Sequence, residues 1–147
     1  MGYRAAVTAT TDAELVAAAR AARDRAYAPY SDFPMGAAVR ADDGSVVPGA
    51  LVENVSLGLA MCAERTALFG AVARGVGPVA LALVSPRTSG ELTFPCGACL
   101  QVALELAGPE LTVIAADLDG AEESARLGDL LARAPQRHTF RAVATSP

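Results

Sequence analysis

All three cysteines of this 147-residue chain lie in two short motifs. Cys62 stands two residues before Glu64, and Cys96 and Cys99 belong to the run Pro-Cys-Gly-Ala-Cys. Three thiolates from two elements can hold one zinc ion and leave its fourth tetrahedral position open for water, as catalytic zinc sites do. Glu64 is the only acid close in sequence to a cysteine on the same predicted helix, so we expect it to move protons beside the metal.

Two other interpretations of the cysteines stay open. A Cys-x-x-Cys pair also occurs in redox proteins and structural zinc sites, so a non-catalytic zinc or thiol-redox domain is one alternative. Free cysteines are also often just small buried hydrophobic residues. A structural zinc site would need a fourth ligand, and the one histidine, His138, lies far from the cysteines in a polar stretch near the end. We therefore expect a catalytic site.

The composition predicts a single domain, residues 1–147, that can bury a core without disulfides. Three cysteines and no recognisable signal peptide favour a reducing compartment, so we expect cytoplasmic residence. No apolar run reaches the roughly 18–20 residues of a membrane span. The net charge is −4 and every basic residue is arginine, so the chain lacks the basic surface that nucleic acids require. A small neutral or cationic ligand is expected, with neither nucleic acid nor membrane as partner.

The pattern of the chain predicts elements in the order α, β, β, α, β, α, β, followed by a weaker tail. A capping box from Thr11 to Glu14 predicts a helix that runs to about residue 26. Asp-Gly turn chemistry at 41–44 predicts a β-hairpin. The order indicates one mixed sheet flanked by helices. The predicted strands are 35–40, 45–52, 79–84, 111–116 and 122–126, and the later helices are 61–74, 96–107 and 127–134.

These elements place all three cysteines in the first turns of two helices. Unpaired backbone N–H groups and the positive end of the helix dipole favour anions there, which lowers a thiol pKa and prepares thiolates for a metal. If the two helices pack side by side with their starts at one end of the sheet, the sulfurs converge. The sequence therefore predicts one metal site at that end.

Four stretches of the chain carry a wider pattern: AYAPYSDFPMGAA at 26–38, VEN at 52–54, CAERTA at 62–67 and PCGAC at 95–99. In order and spacing they resemble the small zinc-dependent cytidine deaminase family, whose sites combine a Cys or His two residues before a Glu with a later Pro-Cys-x-x-Cys. The resemblance implies a three-layer α/β/α domain with a mixed five-stranded sheet, a Zn²⁺ cofactor held by Cys62, Cys96 and Cys99, and a homotetramer. The implied reaction is hydrolytic deamination of cytidine or 2′-deoxycytidine in pyrimidine salvage.

The resemblance also implies roles for residues around the zinc. Glu64 would carry protons to the ring nitrogen and to the leaving amine, while zinc lowers the pKa of bound water to about 7. Arg65 would donate hydrogen bonds to ligand sulfurs and offset their charge, and the Ala63 backbone N–H would hold the carbonyl oxygen of the base. Phe33 would form an apolar or stacking wall, and Glu53 would accept from a sugar hydroxyl. Ordinary core packing for Phe33 and a solvated helix face for Arg65 are the alternatives.

Three leucines depart from the family pattern. Leu51 replaces an asparagine that shares the ribose hydroxyl with Glu53, Leu57 replaces a tyrosine, and Leu100 replaces an arginine. Leucine cannot form the lost hydrogen bond, so these changes affect substrate identity more than reaction type. A modified cytosine nucleoside, such as a nucleoside antibiotic of the blasticidin type, is the alternative substrate. Phe140 in the tail could be the aromatic residue that the family passes into a neighbouring subunit's site.

Overall fold

The computed structural model describes residues 10–136. A sheet of five strands lies between helices, and a 3-10 turn at Leu57–Leu59 precedes the second helix. In chain order the elements are α1 (Asp12–Arg23), β1 (Gly36–Ala41), β2 (Val46–Ala50), α2 (Ala63–Arg74), β3 (Pro78–Val84), α3 (Gly97–Ala107), β4 (Thr112–Ala116), β5 (Glu122–Arg126) and α4 (Leu127–Leu130). The strand order is β2-β1-β3-β4-β5. Only β3 and β4 run parallel among these pairs, so the described sheet is mixed, as predicted.

Helix α1 covers one face of the sheet. Its apolar residues Leu15 and Ala19 are fully buried and form a cluster with Ala38 of β1 and Ala82 of β3. Side chains alternate between the two faces of a strand, so the small residues at every second position of β3 point toward this helix. The small side chains let α1 lie close to the sheet.

Helices α2 and α3 cover the opposite face. Leu68 and Leu104 pack there with Val39, Leu81 and Val113, which come from three neighbouring strands. Six of the seven residues of β3 are buried, which matches the predicted strand with both faces covered. The prediction of a three-layer α/β/α fold is confirmed.

Helix α1 begins as the sequence predicts and ends earlier. Thr11 accepts a hydrogen bond from the Glu14 N–H at 3.2 Å, and Glu14 accepts one from the Thr11 N–H at 2.7 Å, so the capping box is present. The helix ends at Arg23, three residues before the predicted end. By Tyr27 the chain has left the helix and forms a parallel bridge with Val52.

Strand β2 lies unusually close to the start of α2. A Cβ atom at Gly49 would collide with the backbone oxygen of Ala63 and the backbone nitrogen of Ala67. Only a glycine permits that approach, so Gly49 helps to fix where α2 begins.

The last predicted helix, 127–134, is shorter in the structure and covers only Leu127–Leu130. None of the helices between residues 10 and 136 has the length and apolar content needed to cross a bilayer.

Candidate metal centre and active site

The sulfur atoms of Cys62, Cys96 and Cys99 lie within 4.8 Å of one another. Cys62 is the N-cap residue of α2, Cys96 is the N-cap residue of α3, and Cys99 lies in the first turn of α3. The sequence predicted that all three cysteines lie inside the first turns. For Cys62 and Cys96 this was wrong by one residue, because each lies just before the first helical residue. Neither N-cap cysteine makes a side-chain capping hydrogen bond with the described residues, so neither thiol satisfies a first-turn N–H group of its helix.

The topology of the sheet brings these helix starts together. Helix α2 ends at Arg74 and β3 begins four residues later, so α2 runs back along β3 and its start lies near the C-terminal end of that strand. Helix α3 begins after the loop that follows the same end of β3. Both helices also lie on one face of the sheet. The predicted convergence of the two helix starts is thus present.

Glu64 lies beside the sulfurs and is almost completely buried, with 1% of its surface exposed. Its Oε2 atom has no hydrogen-bond partner among residues 10–136. Burial raises the pKa of Glu64 to about 7, and the negative charge on Cys62 adds to this effect. A buried carboxyl group with a pKa near neutrality can both take up and release a proton, which general acid–base catalysis requires.

Arg65 contacts the same cluster from the first turn of α2. Its Nη2 atom donates to the Cys62 sulfur at 3.5 Å, and its Nε atom is buried without a partner among the described residues. Hydrogen bonds from Cys99 and Arg65 lower the pKa of Cys62, whereas the bond to Cys62 and burial raise the pKa of Cys99. The Arg65 guanidinium therefore lies against the Cys62 sulfur, and its role toward a bound metal stays a prediction.

The donor set fits zinc. Three sulfur ligands from two helix starts match the preference of Zn²⁺ for thiolates in a tetrahedral site, and they leave one position open. The unpartnered Glu64 oxygen and the guanidinium of Arg65 are the groups that such an open site would use. A thiol-redox pair would need only Cys96 and Cys99, whose sulfurs are 3.5 Å apart, and would not explain why Cys62 joins them.

A small backbone ladder connects the loop at 27–34 to this centre. Tyr27 donates its N–H to the Leu51 oxygen at 2.9 Å and accepts from the Glu53 N–H at 2.8 Å. Val52 and Met61 exchange two backbone hydrogen bonds of 3.0 and 2.8 Å. Because Met61 directly precedes Cys62, the loop and Glu53 are held beside the start of α2.

Glu53 is tied to the loop through its side chain as well. Its Oε2 atom accepts from the backbone N–H groups of Tyr30, at 2.9 Å, and Ser31, at 3.3 Å, and its Oε1 atom accepts from the Ser31 hydroxyl. The hydroxyl bond and the backbone bonds lower the pKa of Glu53 from its usual value. A cavity of about 210 Å³ opens here and is lined by Tyr30, Ser31, Glu53, Asn54, Leu57 and Ala60.

The remaining sequence-predicted residues fall in different surroundings. Phe33 is half-buried in the loop, and Ala63 is fully buried at the start of α2. Leu51 is only 8% exposed and packs in the core cluster with α2, and Leu100 packs in the same cluster. Leu57 lies on the surface beside the cavity.

The sequence predicted that Leu51 contacts the sugar. Its place in the buried core does not support that prediction. His138 and Phe140 lie outside the described residues. Sequence reasoning missed Ser31, although it stands inside the matched stretch two residues before Phe33.

An α/β/α domain in which three thiols converge beside a buried glutamate defines an open zinc site of the catalytic kind. Residues 9–115 match the family described as the cytidine and deoxycytidylate deaminase zinc-binding region. The chain belongs to this family.

Individual proteins give the same result. The chain is 41% identical over 118 residues to a cytidine deaminase of Sporosarcina psychrophila. The aligned residues make up 80% of this chain and 86% of that relative. The crystal structure of a cytidine deaminase from Burkholderia pseudomallei superposes with a TM-score of 0.76 at 49% identity, covering 82% of this chain and 95% of that one. The structure of cytidine deaminase from Mycobacterium tuberculosis gives a TM-score of 0.70 at 42% identity, covering 82% and 94%.

Proposed function

We propose that this protein deaminates cytidine and 2′-deoxycytidine by hydrolysis, giving the uracil nucleoside and ammonia. One observation carries the proposal: the buried, unpartnered Oε2 atom of Glu64 lies beside three sulfurs that can hold a metal. That oxygen atom has no hydrogen-bond partner among the described residues to offset the cost of its burial. Family membership and relatives that bear the name cytidine deaminase support the same reaction.

The metal would be Zn²⁺ held by Cys62, Cys96 and Cys99, and when bound it supplies a nucleophilic water at neutral pH. Glu64 would take one proton from the attacking water and deliver it to the ring nitrogen next to the amine-bearing carbon, while the water oxygen adds to that carbon. Glu64 would then carry the second proton from the added hydroxyl group to the amine, so that the carbon–nitrogen bond breaks, ammonia leaves and the hydroxyl oxygen becomes the new carbonyl oxygen.

Other residues would orient the substrate and balance the charge. The Arg65 guanidinium offsets the negative charge of the thiolates through its contact with Cys62. The Ala63 N–H, at the uncapped start of α2, is available to the carbonyl oxygen of the base. Phe33 is not among the residues that line the cavity beside Glu53, and it would form an apolar wall for the base next to that cavity. Glu53 offers a sugar hydroxyl the acceptor position that its loop partners leave free.

A modified cytosine nucleoside is a second candidate substrate. The cavity beside Glu53 is bordered by Leu57 and Ala60, whose side chains cannot donate or accept hydrogen bonds. An altered sugar that lacks hydroxyl groups, or carries apolar groups, would lose little in such a cavity.

We also propose that the protein acts as a homotetramer. The segment before α2 exposes Val55, Leu57 and Leu59 at 79%, 81% and 69%, and α2 exposes Phe69 and Val72. Large apolar side chains exposed in this number are typical of a surface that binds another protein. Because Leu57 also lines the cavity, a second copy seated on this segment would border the site. Size-exclusion chromatography with light scattering tests this proposal.

The function is tested by assaying purified, zinc-supplemented protein on a panel of cytosine nucleosides. The panel contains cytidine, 2′-deoxycytidine and an analogue with an altered sugar, and it is followed by ultraviolet absorbance and by ammonia release. Turnover of cytidine together with about one zinc per chain is the expected result. Turnover of the altered analogue alone would assign the second substrate class, and no turnover with zinc bound would contradict the proposed function.

A further inference from the structure

We propose that Thr93 is a positioning residue for the metal ligand Cys96. Its hydroxyl group closes the base of a short hairpin, residues 86–93, that leads from the end of β3 toward the start of α3. The inference rests on the proposed function only through the metal site, because it takes Cys96 as a ligand of zinc. It concerns a residue that the sequence motifs did not single out.

Cys96 is the ligand whose position depends most on the chain that precedes it. Its side chain is exposed, whereas Cys62 is half-buried and Cys99 is buried. Cys99 is held inside α3, and Arg65 donates to the Cys62 sulfur. Cys96 stands just before the first residue of α3, so the direction in which the chain arrives helps to set where its sulfur lies.

The chain before Cys96 folds into a two-residue hairpin turn. Thr88 and Glu91 exchange two backbone hydrogen bonds of 3.0 Å, one in each direction. The residues between them, Ser89 and Gly90, have φ values of 52° and 83°. Positive φ at both central residues is the pattern of a type I′ turn, which fits the twist of paired strands. The 86–93 hairpin is therefore a defined turn rather than a loose connection.

Two threonine hydroxyl groups lie at the base of the 86–93 hairpin. The Thr93 hydroxyl donates to the Pro86 carbonyl oxygen at 2.8 Å, and the hydroxyl oxygens of Thr88 and Thr93 are 2.7 Å apart. A hydroxyl group has one hydrogen, so Thr93 cannot donate to both partners. Thr88 therefore donates to Thr93, and the bond from Thr93 to Pro86 joins the end of the hairpin to its beginning.

Pro86, at the beginning of the hairpin, lies between two residues that are tied to the sheet. Ser85 donates its N–H to the oxygen of the last residue of β4 at 3.2 Å. Arg87 donates to the buried carboxylate of Asp117, just after β4, at 2.8 Å. The Pro86 oxygen is therefore a fixed point to which Thr93 is attached.

Only two residues separate Thr93 from Cys96. Phe94 packs against the core cluster that includes α2 and α3. Pro95 is buried, and its ring fixes its φ. Because this link is short and stiff, a shift of Thr93 is passed on to Cys96.

The test measures how fast the zinc-loaded protein releases Zn²⁺ to an excess of a colorimetric chelator. Thr93→Val keeps the shape of the side chain and removes the hydroxyl, so release is expected to be about three- to tenfold faster, as the loss of one hydrogen bond allows. The fold should survive, since the Pro86 oxygen still accepts from the Ser85 hydroxyl at 3.0 Å. Thr93→Ser keeps the hydroxyl and is expected to restore most of the wild-type rate.

Thr88→Val is the matched control. It is the same substitution in the same hairpin, but it removes the outer, exposed hydroxyl and leaves the bond from Thr93 to Pro86 in place. Zinc release should stay within about twofold of the wild-type rate, as for other exposed substitutions.

Cobalt(II) in place of zinc reports on the site itself, because its absorption depends on the number and arrangement of the sulfur ligands. The thiolate-to-cobalt absorption band is expected to change in Thr93→Val and to stay unchanged in Thr88→Val. A general loss of stability would not produce this difference between the two variants.

The inference requires faster zinc release and a changed cobalt band in Thr93→Val, both restored in Thr93→Ser. It is overturned by unchanged release or an unchanged band in Thr93→Val, by an equal effect in Thr88→Val, or by no restoration in Thr93→Ser. Phe94 and Pro95 would then hold Cys96 without Thr93. Neither readout needs turnover, so a wild-type protein that binds zinc and releases no ammonia would contradict the proposed function and leave this comparison intact.

Discussion

Arg87 donates from Nε to the Oδ2 atom of Asp117 at 2.8 Å, and this ion pair joins the loop before Cys96 to the turn after β4. The other Asp117 oxygen accepts the N–H groups of Asp119 and Ala121, each at 2.9 Å. Burial raises the pKa of Asp117, but the hydrogen bonds from Arg87 and from the turn outweigh it, so the pKa lies below its usual value.

Asp117→Asn is expected to lower Tm by a few degrees near neutral pH, because an amide cannot pair with the Arg87 charge. The folded-state pKa is lowered, so the stabilisation is fully present above the unfolded pKa, about 4 for aspartate, and is lost as the pH falls through the folded value. Thermal unfolding from about pH 8 to about pH 3 should show a difference between the two proteins that shrinks only in acid. A difference that widens in acid contradicts this sign.

Glu64→Gln is expected to keep zinc and fold while kcat falls at least about a hundredfold, since the amide fills the same space but cannot carry a proton. Metal content and circular dichroism would be measured on the same sample as the deamination rate. A variant that keeps more than about a tenth of wild-type kcat removes Glu64 from the proton transfers.

Arg65→Gln is expected to lower zinc affinity or kcat by about ten- to a hundredfold, because the charge beside the Cys62 sulfur is lost. Arg74→Gln at the exposed end of the same helix is the matched control, since the one side-chain hydrogen bond of Arg74 among the described residues goes to the Val46 oxygen, at 3.4 Å. Competition with a colorimetric chelator gives the affinity. Equal behaviour of the two variants would assign Arg65 to the solvated helix face.

Gly49→Ala is expected to destabilise the protein by about 1–3 kcal/mol or more, because its Cβ meets backbone atoms of α2 that cannot move independently. Gly58→Ala is the control, since a Cβ there has open space. Urea unfolding compares the two free energies. A Gly49 variant as stable as the Gly58 variant would mean that β2 and α2 can separate at little cost.

Leu51→Asn tests the departure from the family pattern. A side chain only 8% exposed in the core loses its apolar contacts and buries an amide, so we expect a loss of about 2–5 kcal/mol. The exposed Leu118→Asn, outside the segment proposed to bind a second copy, should change stability by less than about 0.5 kcal/mol. If Leu51→Asn is stable and instead raises kcat/KM for cytidine over a sugar-modified analogue, the residue does reach the sugar.

Local signals made much of this molecule predictable. The capping box joins Thr11 and Glu14, which are only three residues apart, so the sequence alone reveals it. The two cysteine motifs also mark where α2 and α3 begin. The start of helix α2 was predicted two residues too early. Cys62 occupies the N-cap position but makes no side-chain capping hydrogen bond, and cysteine is not a residue type that marks an N-cap. Such boundaries depend on backbone dihedral angles rather than on composition.

Contacts between distant segments were harder to predict. Glu53 and Ser31 meet across 22 residues, and no local pattern says that a carboxylate in one segment will serve a turn in another. Leu51 lies two residues before Glu53, so a continued strand would place both side chains on one face. Strand β2 ends at Ala50, which breaks that alternation and lets Leu51 enter the core.

The shared position of the α2 and α3 starts has a consequence for how the protein folds. Cys62 and Cys96 are brought together only when β3, which lies between them in the chain, has joined the sheet and both helices have docked. Closing the long loop between Cys62 and Cys96 costs conformational entropy, and this cost comes before the three thiols can bind one ion together. Zinc capture would then follow assembly of the sheet rather than nucleate it, and the rate of metal uptake after dilution from denaturant would report the folding rate of the domain.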